Sequence, residues 1–194
     1  MTDPAMGPCP SQPFQVDAGT SGTLTVLERG GLARPSRLRM TLPAGYGHPV
    51  TQRHPHQTEH IRVLRGVMHV NVGGVERRLG PGDTVLIPAG AWHRSRTPSD
   101  SPVEMEVVLT PGMGIDEMFG RMFTAKRGTR GLRQSLSMLN VLMAFPANVR
   151  FRGPLHGLFR LVVGLGRRFR LLGPIPEIVV SPVAQRQAAA GGAP

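Results

Sequence analysis

The sequence predicts a mainly β protein, an antiparallel sandwich or barrel, with an α-helical extension at its C-terminal end. Three observations predict this class. Between residues 14 and 110, short segments alternate apolar and polar side chains with a period of two. Turns rich in glycine and proline separate these segments, as in sandwiches and barrels. From Asp116 onwards the apolar residues recur at helical spacing instead.

The alternating segments divide the chain into four regions. Residues 1–12 are rich in proline and are predicted to be a flexible tail, and residues 13–112 form the β barrel. A helical, basic and apolar extension covers residues 113–180, and a low-complexity tail covers residues 181–194. One domain with an appendage therefore accounts for a chain of 194 residues.

The strands follow one another in short steps. The expected segments are residues 14–16, 23–27, 38–42, 59–63, 67–72, 75–79, 84–87 and 103–109. The Gly73-Gly74 pair predicts a hairpin between the fifth and sixth of them. In the fourth, Glu59 shares the apolar face with Ile61 and Val63, so this carboxylate needs a cation or a donor when it is buried.

The extension carries most of the positive charge. Residues 1–110 hold 11 arginines against nine acidic residues, whereas residues 111–194 hold 11 arginines and Lys126 against three acidic residues. Apolar runs around residues 118–123, 132–143 and 155–172 predict helices that cover the barrel or a second subunit. The same basic amphipathic pattern also fits the surface of an anionic membrane. Nucleic-acid binding is not expected, because no recognition motif accompanies the charge.

Two clusters of polar residues carry the candidate chemistry. The first spans residues 52–59, where Gln52 and His54 leave the same face of an extended segment and Glu59 follows. The second ends at His93 after a short apolar strand and several Gly and Pro residues. Pairing of the clusters brings together two imidazoles and a carboxylate, a set suited to a divalent transition metal with open positions. The same residues could alternatively form a hydrogen-bonded polar pocket without a metal.

These clusters resemble the two motifs of the cupin superfamily, G-x5-H-x-H-x3,4-E-x6-G and G-x5-P-x-G-x2-H-x3-N. The positions that match are Gly82, Pro88, Gly90 and His93 in the second motif, and His54, Glu59 and Gly66 in the first. Gln52 stands where cupins usually have His, and Thr97 stands in place of the motif Asn.

The resemblance implies a double-stranded β-helix, the cupin jelly-roll barrel, followed by the helical extension found in a group of bacterial single-domain cupins. It also implies metal ligands at Gln52, His54, Glu59 and His93. A shifted register would use His56 or His60 as alternates. A metal-dependent enzyme that oxygenates a small organic molecule is the expected function, with Fe, Mn, Ni or Zn as the metal. An amide oxygen at Gln52 favours Fe, Mn or Ni. No catalytic residue beyond the ligands can be assigned.

A non-enzymatic barrel that binds a small ligand and acts as a sensor is the second hypothesis. Its helical extension would serve for dimerisation or for contact with a membrane surface. The expected partners are thus a small-molecule ligand or substrate and a second copy in a homodimer. A single cysteine, Cys9, excludes a disulfide framework. With no signal-peptide pattern and no long apolar run, the expected location is the cytoplasm.

Overall fold

The computed structural model describes residues 8–47 and 50–181 of the protein, which form two antiparallel sheets and three α-helices. The strands are β1 Phe14–Asp17, β2 Thr23–Glu28, β3 Ser36–Leu42, β4 Gln52–Arg53, β5 Thr58–Arg65, β6 Met68–Val72, β7 Val75–Leu79, β8 Thr84–Ile87, β9 His93–Arg96, β10 Val103–Thr110 and β11 Arg150–Phe151. The helices are α1 Ile115–Lys126, α2 Gly131–Ala144 and α3 Leu155–Arg168.

One sheet has six strands in the order β1-β2-β3-β10-β5-β8, and the other has five in the order β11-β4-β9-β6-β7. Alternate side chains of each strand point between the sheets, so that Leu38, Val63, Val70 and Val107 lie in one continuous core. The predicted fold class is confirmed, since a double-stranded β-helix of antiparallel strands is followed by helices.

Glycine is required at the turn between β5 and β6. Gly66 has a φ of +76°, a left-handed conformation that other residues rarely adopt. A Cβ atom at this position would lie 2.1 Å from the carbonyl oxygen of Pro102. The close approach of the backbone at Pro102 therefore explains why the first sequence motif ends on a glycine.

Helix α1 packs against the first three strands through Ile115, Met118 and Met122, all of them buried. Its first turn is fixed by a fully buried carboxylate, Asp116. Arg29 Nε donates to Asp116 Oδ2 at 2.6 Å, and Ser36 Oγ donates to Asp116 Oδ1 at 3.1 Å. Because a buried carboxylate without donors would be costly, this pair of contacts fixes where the helix begins on the sheet.

The extension also contributes a strand, which the sequence did not predict. Strand β11 pairs with β4, with Arg150 opposite Arg53 and Phe151 opposite Gln52. Two residues are too few to show an alternating pattern, so periodicity cannot reveal this strand. The second sheet is therefore completed by a part of the chain that lies between two predicted helices.

The predicted tails lie mostly beyond the described residues, which leave out residues 1–7 and 182–194. Residues 8–12 contain neither helix nor strand. At the other end, the Ser181 amide donates to the Gln15 carbonyl at 2.7 Å, which fastens the end of the extension to β1.

We expect Phe151→Ala to lower the free energy of unfolding by about 3 kcal/mol, because it empties a buried aromatic site that joins β11 to the barrel. The Phe151 ring meets the Phe159 ring edge to face, with centroids 5.2 Å apart. Urea denaturation measures the change. Leu132→Ala is the control, since Leu132 is largely exposed on α2. Equal effects of the two substitutions would contradict a stabilising role for β11.

Candidate metal centre

Three of the four predicted ligand residues meet between the two sheets. His54 directly follows β4, Glu59 is the second residue of β5, and His93 is the first residue of β9. Each side chain offers one ligand atom, and these atoms all lie within 4.8 Å of one another. Strand pairing alone brings the two sequence clusters together, since Gln52 of β4 lies opposite His93.

The Glu59 carboxylate is the centre of this cluster. Its Oε2 atom lies 3.6 Å from His54 Nε2 and 3.4 Å from His93 Nε2. The two imidazole rings are tilted by 31°, with centroids 5.3 Å apart. All three residues are buried, which removes water as a ready partner for these atoms.

Backbone carbonyls determine which ring nitrogens carry protons. His54 Nδ1 lies 2.6 Å from the Asn148 carbonyl oxygen, and His93 Nδ1 lies 3.0 Å from that of Ala91. A carbonyl oxygen only accepts hydrogen bonds, so each Nδ1 must be the protonated nitrogen. In the neutral imidazole, the lone pair is then on Nε2, the atom that faces Glu59.

The cluster has more acceptors than donors. Glu59 Oε2 and His93 Nε2 are buried without a hydrogen-bond partner among the described residues. Burial lowers the pKa of His54 and so favours the neutral ring, although the nearby charge of Glu59 acts in the opposite direction. Lone pairs of two imidazoles and a carboxylate thus converge, and a bound cation would satisfy all three. The residues present fit a divalent metal.

The other predicted candidates fall into two groups. Gln52 is half-buried and lines the same cavity as Glu59 and His93, so it remains a proposed ligand. His56 and His60 are exposed and lie outside the cluster. The structure therefore does not bring these two alternates to the cluster.

Hydrogen bonding and strand alternation explain the exclusion of the two alternates. The side chain of Gln57 turns inward in place of His56, and its Nε2 donates to the carbonyls of Pro111 and Gly112 at 3.0 and 2.8 Å. His60 follows Glu59 in β5, so it points away from the core.

A cavity of about 40 Å³ adjoins Glu59 and His93. Apolar strand residues line most of it, and Phe119, Met122 and Phe123 of α1 close one side. This volume holds about two or three water molecules. A substrate larger than this volume could enter only if α1 or a loop beside the cavity moved.

Two parts of the chain contribute to the site although the sequence analysis did not assign them to it. Asn148 lies between α2 and β11 and acts through its backbone, which every residue possesses, so no residue-type signal marks it. The apolar face of α1 was recognisable from its helical spacing. The spacing of apolar residues does not reveal which surface a helix covers.

Comparison with known proteins places the central segment in one family. The Cupin domain family model matches residues 38–110. A segment of 77 residues is 39% identical to the probable oxidoreductase patJ of Aspergillus clavatus, over 39% of this chain and 24% of that protein. Another of 79 residues is 34% identical to the mannose-1-phosphate guanylyltransferase ManC of Salmonella typhimurium, over 41% of this chain and 16% of that protein. The matched segment thus spans a quarter or less of these relatives.

Among solved structures, a sugar phosphate isomerase from a cupin superfamily, from Silicibacter pomeroyi, aligns with a TM-score of 0.41. Its sequence identity is 26%, and the alignment covers 46% of this chain and 59% of that chain.

We predict that the neutral imidazole rings of His54 and His93 in the metal-free protein carry their proton at Nδ1 and none at Nε2. The carbonyls of Asn148 and Ala91 impose this tautomer. Long-range ¹H–¹⁵N correlation spectra of the imidazoles distinguish the two nitrogens. The exposed His60 is the internal control. A protonated Nε2 on either buried ring would contradict the prediction.

Proposed function

Because residues 38–110 form a cupin domain, we propose that the protein binds a divalent transition metal through His54, Glu59 and His93 and acts on a small organic molecule. The observation that supports this most is the convergence of three lone-pair donors, two of them buried without a hydrogen-bond partner. A structural polar pocket would instead place donors opposite acceptors. Gln52 is proposed as a fourth ligand, through its amide oxygen.

A bound Fe, Mn, Ni or Zn ion would supply Lewis acidity, and Fe would add the redox chemistry of a metal-dependent oxygenase. The chain itself contributes orientation and exclusion of water. Hydrogen bonds from both Nδ1 atoms hold the imidazoles in place, which strengthens them as ligands. The apolar lining from Met105, Val107 and Phe123 disfavours water, and the small volume of the cavity limits the substrate to a small molecule.

We expect protein purified without chelator or affinity metal to contain about one equivalent of a transition metal, measured by elemental analysis. His93→Ala and Glu59→Gln should each lower metal affinity by at least about tenfold, since even the loss of a residue that only hydrogen-bonds a metal ligand lowers affinity by that factor. Gln52→Ala should have a smaller effect, because imidazole and carboxylate remain.

His60→Ala is the matched control, since it removes an exposed histidine beside Glu59. Retention of metal in this variant and loss in the others would support the assignment. Protein that is empty as purified and cannot be reconstituted with any of the four metals would refute it.

A non-enzymatic sensor is the second candidate, and the small cavity favours it. Among the described residues that line this cavity, the only ionisable ones are Glu59, His93 and Tyr46. A general base separate from the proposed ligands is therefore absent from that lining, and Tyr46 has a pKa that burial raises. Oxygen consumption by the metal-loaded protein in a screen of small substrates separates the two functions.

The extension presents a second functional surface, the outward face of α3. Leu158, Leu161 and Leu165 are 52%, 58% and 48% exposed, whereas only Val163 and Gly166 of this helix are buried. An apolar stripe of this length on a surface marks an interaction site. One face of α3 packs on the rest of the chain, since Val163 is buried and the Phe159 ring meets the Phe151 ring of β11. For the exposed leucines, the expectation that the apolar helices cover the barrel or a second subunit stays a prediction.

Charge indicates what this face contacts. Residues 118–176 contain 11 basic residues and no Asp or Glu. A symmetric dimer formed through α3 would bring Arg160 and Arg168 of one copy near those of the other, and α3 itself offers no carboxylate to pair with them. We therefore propose that α3 lies on an anionic membrane surface, with its leucines in the headgroup region. None of the helices in the described part of the chain is long and apolar enough to cross a bilayer.

We expect the protein to sediment with vesicles of mixed phosphatidylglycerol and phosphatidylcholine, and much less with phosphatidylcholine alone. Replacing Leu158, Leu161 and Leu165 together by Ser should weaken this binding by more than about tenfold, because the apolar contribution of three leucines is lost. Leu132→Ser, an exposed leucine on α2, is the control.

The competing proposal, a homodimer formed through the same face, gives a different result. Light scattering would then show a dimer that the triple substitution converts to a monomer, with no sedimentation on vesicles.

A further inference from the structure

The chain contains one lysine among 22 arginines, and that lysine is buried. Lys126 is the last residue of α1, and only 4% of its surface is exposed. Elsewhere the sequence uses arginine wherever a solvent-exposed cation suffices. Arg121 is also buried, but it donates to the Glu117 carboxylate and to the Pro176 carbonyl. A lysine at a buried position beside aromatic rings indicates a need for a compact ammonium group, or for a cation able to lose its proton, neither of which arginine provides.

Lys126 has neutral partners. Its ammonium donates to the Tyr46 hydroxyl at 3.3 Å and lies 4.5 Å from the Tyr46 ring centroid and 4.4 Å from that of Phe123. No carboxylate within residues 8–47 and 50–181 forms an ion pair with it. Burial lowers its pKa to about 8. The ring faces attract the cation, but they do not neutralise its charge.

A pocket of about 560 Å³ adjoins this lysine. Lys126 and Tyr46 belong to its lining, together with apolar side chains from α2, β11 and α3. These apolar residues include Met138, Leu142, Phe151 and Phe159. The volume and the mixture of an apolar wall with few polar groups are typical of sites for small organic molecules.

The charge of the site restricts the ligand. Within the described residues of the pocket lining, Lys126 is the single charged group. Arg127 and Arg130 line a separate groove with Asp17, on which Lys126 also borders. One buried cation balances a monoanion, whereas a phosphate dianion would keep an unpaired charge in an apolar site.

We propose that this pocket binds a small apolar carboxylate, whose anionic group pairs with the Lys126 ammonium while its hydrocarbon part lies against α2, Phe151 and Phe159. The inference stands apart from the proposed metal chemistry, because no metal-ligand residue lines this pocket. The two sites are nevertheless adjacent. Tyr46 lines both this pocket and the cavity beside Glu59.

Calorimetric titration of the full chain with octanoate, 3-phenylpropanoate and octanol tests the proposal. We expect both carboxylates to bind to wild type at least tenfold more tightly than the alcohol, and Lys126→Met to abolish this preference. Arg130→Met, which removes an exposed cation from the neighbouring groove, should leave it unchanged. Equal affinity of wild type and Lys126→Met for octanoate, or no preference over octanol, would overturn the proposal.

A second measurement needs no variant at the buried position. Octanoate affinity should fall about tenfold per pH unit once the pH exceeds the pKa of Lys126, since the neutral amine no longer pairs with the anion. The other ionisable groups near Lys126 do not obscure this pH dependence. Burial keeps Tyr46 neutral, and Arg127 and Arg130 of the neighbouring groove stay charged. Affinity that is constant from pH 7 to 10 would contradict the assignment. None of the proposed metal ligands lines this pocket, so failure here would leave the metal proposal intact.

Discussion

Two backbone carbonyls decide what the buried cluster can do. The Ala91 carbonyl belongs to the turn before β9, and the Asn148 carbonyl belongs to the segment between α2 and β11. Each receives an Nδ1 proton, and each thereby turns a bare Nε2 toward the carboxylate of Glu59. Without these contacts the imidazoles could rotate or exchange tautomers and satisfy Glu59 with their own protons. The cluster has the character of a ligand set because the backbone holds the protons on its outer side.

Helix α1 links this cluster to the rest of the molecule. Its first turn is held by Asp116, which binds Arg29 and Ser36 on the first sheet. Its middle closes the small cavity with Phe119 and Met122, and its last residue is Lys126 beside the larger pocket. A rigid helix anchored at one end and lining two cavities couples their shapes. A shift of α1 that enlarges one cavity must also alter the wall of the other.

Local rules explain which features the sequence predicted. Alternation and the Gly and Pro turns specify strands, and the resemblance of the two clusters to the cupin motifs predicts that His54, Glu59 and His93 meet. Those features were found, and three of the four predicted ligands do meet. Strand β11 was missed because two residues carry no period. The shifted register of His56 could not be excluded beforehand, because only the hydrogen bonds of Gln57 show which side chain turns inward. The outward orientation of α3 depends on tertiary packing rather than on its own pattern.

The contact between His54 and Asn148 also has a consequence for the order in which the molecule is made. The two residues are 94 positions apart in the chain. During synthesis, every strand of the barrel except β11 therefore leaves the ribosome before Asn148, whose backbone carbonyl fixes the His54 ring. Domains generally fold from their N-terminal part during synthesis. The strands can thus assemble early with an incompletely ordered cluster, and the orientation of the His54 ring is fixed only after the segment that contains Asn148 has joined β4.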